Sequence, residues 1–343
     1  MAPPPSTGTT GPRIVKRVAL TLFAFVTAGL LVAIFTRMSP LSEHYLPAMR
    51  EVMSLSSPLS SSLSGKESIV TTPLVSSCTR ENATHNPLTG LDAKIAIQTY
   101  KRPKELRETL SALTTEKIPS LLEIVVVWNN IDEVPPADFV SRHGVPVRHR
   151  RSEHNSLNQK LLPDPSYRTK AVLLSDDDVY YEPSDLEFVF QSWRKFGTYR
   201  LVGALPRCSD HEGQGWKYGF CSSVPGQRRY SMILTNLCFA HMALLDYYWS
   251  PAPEAVAIRA YVDAHFNCED IGLNFLASSL TGWGPLEANG FKPYHNMEPA
   301  QGISRKPGHL EARTKCLNDF ASIFGCMPLI DETSHIVRGM AVL

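Results

Sequence analysis

Neither sign of charge dominates this chain: 34 Lys and Arg face 33 Asp and Glu, for a formal net charge of +1 at pH 7. No long basic tract runs through its globular part, which argues against nucleic acid as a partner. The 7 cysteines form no C-x-x-C pair, so a structural zinc site is not indicated. Their odd number leaves at least one thiol unpaired or intermolecular. No Gly-x-Gly-x-x-Gly and no Walker sequence occurs, so a dinucleotide or P-loop site is not indicated. A nucleophile elbow and a metalloprotease helix are missing too. No internal repeat is visible.

Uncharged apolar sequence is scarce except near the start. Val18 to Phe35 carries no charge and only two threonines, just long enough for a membrane-span candidate. Arg13, Lys16 and Arg17 precede it, so the positive-inside rule leaves the N-terminus in the cytosol. The competing reading is a cleaved signal peptide. The apolar stretch is long for that, and Thr36-Arg37-Met38-Ser39-Pro40 reads poorly as a cleavage site. The expected order is therefore a cytosolic tail (1–17), a signal anchor (18–36), a stem (37–91), a globular domain (92–329) and a tail (330–343). The stem follows from its composition, densest in Ser54-Leu55-Ser56-Ser57-Pro58-Leu59-Ser60-Ser61-Ser62-Leu63-Ser64. Asn82-Ala83-Thr84 is a glycosylation acceptor sequence. With cysteines free to pair in an oxidising compartment, it agrees with a lumenal address.

The globular domain alternates strand and helix. Lys94 to Tyr100 reads as a strand. Pro103 to Leu113 carries Leu106, Leu110 and Leu113 at helical spacing, with the proline suited to a first turn. Leu121 to Trp128, Val145 to Arg148 and Ala171 to Leu174 follow as strands. Near-continuous apolar strands in this alternation predict a parallel sheet covered on both faces. Tyr199 to Ala204 and Ser231 to Leu234 are further strand candidates. Helices are expected from about Asp270, with Ile271, Phe275 and Leu276 inward, and over His309 to Phe320.

The most informative feature is Asp176-Asp177-Asp178, placed where an apolar strand ends. Open α/β sheets bind ligands at that edge. Adjacent carboxylates repel unless a cation or water screens them. Magnesium and manganese take oxygen ligands and often bridge a carboxylate to a diphosphate. The plainer reading is a polar turn that caps a helix beginning near Pro183. Glu269 and Asp270 open a helix, where dipole complementation alone would explain them. Arg313 could be a solvated charge. Gln98, Arg107, Asn129 and Asn155 are polar residues of the first half, several at or just past strand ends. They could read a base, ribose and diphosphate, or serve as turn and surface residues.

In this order the motifs resemble a known family. Gln98-Thr99-Tyr100, Val126-Val127-Trp128-Asn129-Asn130, Leu174-Ser175-Asp176-Asp177-Asp178, Tyr230-Ser231-Met232, Asn267-Cys268-Glu269-Asp270-Ile271 with Asn274-Phe275, and Arg313-x-x-Cys316-Leu317-Asn318 with Met327-Pro328-Leu329 resemble the catalytic domain of the exostosin and exostosin-like glycosyltransferases, family 64. The resemblance covers Ile95 to Leu329 and lies nearest the small exostosin-like members.

It implies a GT-A α/β fold, with a Rossmann-like nucleotide-binding half and an acceptor-binding half. It implies a retaining, manganese-dependent transfer of an N-acetylhexosamine, GlcNAc first, from a UDP-sugar to a glycan or glycolipid. Asp178 and Asp176 would hold the Mn2+, with Asp177 beside the ribose and sugar. Gln98, Arg107, Asn129, Asn155 and Lys160 would face uridine and diphosphate. Asp270 and Arg313 would act at the reacting centre, and Cys268 would be bonded to Cys316. The address would be a single-pass Golgi or endoplasmic reticulum membrane protein with a lumenal catalytic domain, and a homodimer is allowed for. The loop from Arg207 to Arg229, with Cys208 and Cys221, has no counterpart among the matching motifs and lies where acceptor recognition would be expected. Two alternatives stay open. One is another donor, such as GDP-mannose. The other is a non-catalytic tethered protein that binds nucleotide-sugar or glycan.

Overall fold

In the computed structural model, residues 93–342 are described, apart from residues 168, 223, 225–226 and 300–301. The expected cytosolic tail, anchor, stem and Asn82 lie outside the described residues. Among those described, no helix is long and apolar enough to cross a membrane.

The first strand is β1 (Ala93–Thr99), followed by α1 (Pro103–Thr115), which starts on its proline. A proline at that position loses no helical hydrogen bond. β2 (Leu121–Trp128), β3 (Phe139–Val140) and β4 (Pro146–Arg151) follow, then a 3-10 turn over Leu157–Leu161. β5 (Ala171–Asp176), β6 (Val179–Tyr180), α2 (Pro183–Phe196) and β7 (Val202–Gly203) complete the first half. The second half runs through β8 (Pro206–Glu212), β9 (Gly215–Gly219), β10 (Met232–Ile233) and β11 (Leu237–His241). Helices α3 (Met242–Tyr248), α4 (Pro253–His265) and α5 (Glu269–Thr281) come next. β12 (Leu286–Asn289), β13 (His295–Asn296), α6 (His309–Phe324), β14 (His335–Val337) and β15 (Met340–Val342) end the described chain.

The main sheet has the order β15-β14-β12-β7-β11-β5-β1-β2-β4-β3. The run β5-β1-β2-β4 is parallel, as the strand–helix alternation predicts. Alternate residues of these strands enter two different cores. Ile95, Ile97 and Leu173 pack with Leu106 of α1 and Phe190 and Trp193 of α2. Ala96, Val172 and Leu174 pack with Leu245, Ile258, Phe275 and Phe320 of the later helices. Both faces are therefore covered, which is why these strands show little polar alternation.

Three expectations need correction. The sheet is mixed, because β11 runs antiparallel to both β5 and β7. The cause is topological. A parallel return needs a crossover to the other end of the sheet. After β7 the chain instead makes a separate sheet, β10-β8-β9, and re-enters at the edge it left. Of the two later strand candidates, only Val202–Gly203 joins the main sheet, while Met232–Ile233 belongs to the small one. The segment past Leu329 is no loose tail. β14 pairs parallel to β12, β15 pairs antiparallel to β14, and Tyr230 and Glu332 exchange backbone hydrogen bonds of 2.9 and 2.7 Å. β14 is three residues long and is held to the main sheet by β12, distant in sequence, so no local pattern announces that pairing.

Gly203 marks the tightest approach in the sheet. A Cβ there would meet the Leu237 carbonyl oxygen at 2.3 Å, so β11 can lie beside β7 only with glycine at this position. At the far end of β11, His241 is 5% exposed and its Nδ1 accepts the Ala243 N–H at 2.9 Å, capping α3. Burial, with the nearby Lys170 charge, pushes its pKa down to about 4. An unfolded histidine titrates near ~6.5. Above that pH both states are neutral and the contribution of His241 to stability is complete. As pH falls toward 4, the unfolded chain takes up a proton that the folded chain refuses. Stability then drops by about 1.4 kcal/mol per pH unit from this group. Urea unfolding at pH 7, 6 and 5 should show a shallower fall for His241→Asn, which keeps a capping acceptor but does not titrate. Equal slopes for both proteins would contradict the assignment.

Candidate active site

β5 brings Asp176 to the C-terminal edge of the parallel strands, and Asp177 and Asp178 turn the chain there. Neighbouring elements fix the turn. Thr99, at the end of β1, donates to Asp177 Oδ2 at 2.7 Å, and Thr109 of α1 donates to the Asp177 carbonyl at 2.7 Å. Arg102, in the β1–α1 loop, lies 2.5 Å from Asp178 Oδ2 and 3.1 Å from Asp177 Oδ1. Burial raises the Asp177 pKa to about 7 against the opposing pull of Arg102 and the Thr99 hydroxyl. Asp178 is raised first by burial and then by the Asp176 charge, with Arg102 opposing.

Lys160 enters from the 3-10 turn that follows β4. Its side chain is 1% exposed, and Nζ lies 2.7 Å from Asp176 Oδ1 and 3.8 Å from Glu269 Oε1. Burial alone would discharge the amine. The Asp176 and Glu269 carboxylates more than offset that, so its pKa is raised. Glu269 itself is raised to about 7, by burial and by Asp270, with Lys160 opposing.

α5 begins with Glu269 and Asp270, and the residue before them, Cys268, has a left-handed φ of +76°. Its sulfur is bonded to Cys316 of α6 across a sequence separation of 48. One helical turn before Cys316, Arg313 ion-pairs with Asp270 and reaches Asn267 Oδ1 at 3.3 Å. Both side chains of the ion pair are 7% exposed. The guanidinium also lies 4.5 Å from the Tyr218 ring centroid. Burial works against the Arg313 charge, and Asp270 and Tyr218 outweigh it, raising its pKa.

The residues expected to face a nucleotide sit at the same edge, with one apart. Gln98 and Asn129 both donate to the Ser156 carbonyl, at 3.2 and 2.8 Å, tying β1 and β2 to the turn before Lys160. Gln98 Oε1 and Asn155 Oδ1 are buried without a hydrogen-bond partner among the described residues. Arg107 is exposed on α1, one turn beyond Arg102. Sequence reasoning assigned no role to Thr99 and singled out neither Arg102 nor Tyr218. The first two lie in or just before a βα loop at the ligand-binding edge, a position that could have singled them out. Tyr218 gives no such sign, because only the fold brings it beneath Arg313.

Among the described residues, no three His, Cys, Asp or Glu side chains converge as a closed metal cage. The donor set still fits a hard divalent ion that takes few protein ligands. Asp176 crowds Asp178 with like charge, which a cation would relieve. Such ions complete their shell with water and phosphate oxygens.

Residues 93–340 match the description "Glycosyl transferase family 64 domain". The chain belongs to glycosyltransferase family 64. It is 36% identical to human exostosin-2 over 239 residues, which are 68% of this chain and 32% of that protein. It is 30% identical to human exostosin-like 2 over 252 residues, covering 68% of this chain and 73% of that one. Glucosamine inositolphosphorylceramide transferase 1 of Oryza sativa subsp. japonica is 38% identical over 215 residues, 61% of this chain and 28% of that protein. This chain thus spans about a third of exostosin-2. In this mixed α/β fold the β5-β1-β2-β4 part carries the aspartates, and the part from β8 to α6 supplies Asp270, Arg313 and Tyr218.

The remaining cysteines of the described residues are also accounted for. Cys208 is bonded to Cys221, Cys326 is disulfide-bonded, and Cys238 is free and buried. Loop-closure entropy assigns the Cys268–Cys316 bridge a stabilisation of about 4 kcal/mol. Guanidinium unfolding of a Cys268→Ser/Cys316→Ser variant should show a loss of that order. A loss under about 1 kcal/mol would mean that the helices hold Asp270 and Arg313 together without the bridge.

Proposed function

We propose that this chain transfers N-acetylglucosamine from a UDP donor to a glycan or glycolipid acceptor, with retention of configuration. The observation that carries the reading is the position of Lys160. One buried ammonium contacts Asp176 of the triplet and Glu269, the neighbour of Asp270. The aspartate edge and the Asp270–Arg313 pair therefore border one cleft, as a donor with a diphosphate at one end and a reacting sugar at the other requires.

The residues then divide the work. Gln98, Asn129 and Asn155 face the base, where the unpartnered oxygens of Gln98 and Asn155 can accept N–H groups. Lys160 serves the diphosphate side, and Asp177 lies beside the ribose and sugar. Asp176 and Asp178 would hold Mn2+, which when bound neutralises the charge that develops on the leaving diphosphate. Arg313 orients the Asp270 carboxylate and keeps it from turning away. Asp270 meets the reacting sugar and favours a transition state with positive character at the anomeric carbon.

The disulfides Cys208–Cys221 and Cys268–Cys316 support an oxidising compartment. With the apolar segment 18–36 and the stem 37–91, they support a Golgi or endoplasmic reticulum enzyme whose domain faces the lumen. Of the two acceptor classes, the name of the rice relative favours a glycolipid.

A donor screen tests the proposal. The purified chain is incubated with MnCl2 and a panel of UDP- and GDP-sugars, and nucleotide release is read. UDP-N-acetylglucosamine should lead, and Asp178→Asn should abolish both turnover and metal-dependent UDP binding. Full activity in excess chelator would sink the metal assignment, and preference for GDP-mannose would replace the donor.

Asp270→Asn separates catalysis from structure. If the carboxylate acts at the reacting centre, kcat should fall by orders of magnitude while UDP affinity changes little. Near-normal transfer by the folded variant would leave Asp270 as the opening acid of α5 and no more.

A further inference from the structure

The hairpin of β8 and β9 presents one face whose residues pair across the strands. Ser209 lies opposite Tyr218, and His211 lies opposite Trp216. Side chains alternate along a strand, so Tyr218 and Trp216 share that face. Tyr218 lies against Arg313, at 4.5 Å. Trp216 is two residues along, about 7 Å further by the rise of a strand. There it borders a groove of about 430 Å³, lined by Ser209, His211 and Trp216 of the hairpin, by Arg229, and by residues 329–331. That volume lies within the usual range for small-molecule sites, roughly 300–1,000 Å³.

The lining has the chemistry of a sugar subsite. The His211 and Trp216 rings meet edge to face at 5.2 Å and form an aromatic wall. A pyranose has an apolar C–H face that suits the electron-rich face of an indole, and a rim of hydroxyls that suits a few fixed polar groups. Arg229 and Asp331 provide such groups. Arg229 is already matched by Asp210 at 2.7 Å and Asp331 at 3.4 Å, so the groove does not call for an anion. It is also coupled rigidly to the cleft. Asn318 of α6 accepts from the Trp216 N–H at 3.0 Å and donates to its carbonyl at 2.8 Å. The same helix carries Arg313. The Cys208–Cys221 bridge joins the start of β8 to the chain just past β9.

We propose that this groove binds a neutral pyranose of the acceptor glycan, the unit behind the one that receives the transferred sugar. The inference rests on the transferase reading for the identity of the bound chain. It departs from that reading in assigning sugar recognition to Trp216, His211 and Arg229, outside the donor cleft.

The test is equilibrium binding, which needs no turnover. The full chain with UDP and MnCl2 is titrated with cellobiose, chitobiose, lactose and mannobiose, read by tryptophan fluorescence and by saturation-transfer NMR. At least one disaccharide should bind saturably. Its dissociation constant should rise at least fivefold in Trp216→Ala. Trp216 is partly buried, so a His211→Ala/Arg229→Ala variant, altered only at exposed positions, gives a second measurement and should weaken binding similarly. UDP titration of the same proteins reads the donor site separately. Disaccharide binding unchanged in both variants, or no binding of any disaccharide by a chain that binds UDP, would overturn the groove assignment and leave the transferase reading intact. Failure to bind any nucleotide, with groove-dependent sugar binding, would count against the transferase and keep the subsite.

Discussion

The candidate site depends on one buried cation. Lys160, at 1% exposure, is held by Asp176 and Glu269. An ammonium ion out of water is tolerated only where carboxylates replace its hydration. The carboxylates in turn need it, since Asp176, Asp177, Asp178, Glu269 and Asp270 would otherwise gather at one edge with only Arg102 and Arg313 to balance them. The excess of acid that remains favours a divalent ion at the aspartates. Burial raises the pKa values of Asp177 and Glu269, and the neighbouring carboxylates add to it.

Around that cation the start of α5 is built with little freedom. Cys268 adopts a left-handed backbone that suits few side chains. The bridge to Cys316 and the Arg313–Asp270 pair hold it from α6. From α4, Ile258 presses so closely that a Cβ on Gly272 would meet its Cγ2 at 2.4 Å, and only glycine lets the helices approach. Asn274, one helical turn past Asp270, accepts from Ile233 N at 3.0 Å and donates to Ile233 O at 2.8 Å. The helix that carries Asp270 is thereby joined to the small sheet that carries Tyr218 and Trp216.

β11 returns antiparallel because the small sheet, and no crossover helix, follows β7. Had a covering helix followed β7, the chain would have re-entered at the opposite edge, and no hairpin would stand beside Asp270. The break in the parallel pattern and the second half of the cleft are one feature.

Much of the first half was legible in the sequence. Apolar runs fixed β1, β2 and β5, Pro103 marked the start of α1, and the aspartates at the end of β5 marked the ligand edge. These are local properties: burial on both faces, missing N–H groups, charge at a strand end. The pairing of Cys268 with Cys316, by contrast, could be reached only through family resemblance, because spacing does not give connectivity. Other features were decided by tertiary structure alone. Arg102 reaches Asp178, Lys160 joins Asp176 to Glu269, Tyr218 lies under Arg313, and β14 closes on β12. Each joins residues distant in the chain through a side chain or a three-residue strand. Periodicity reports which face of an element is buried, and it carries no record of what lies against that face.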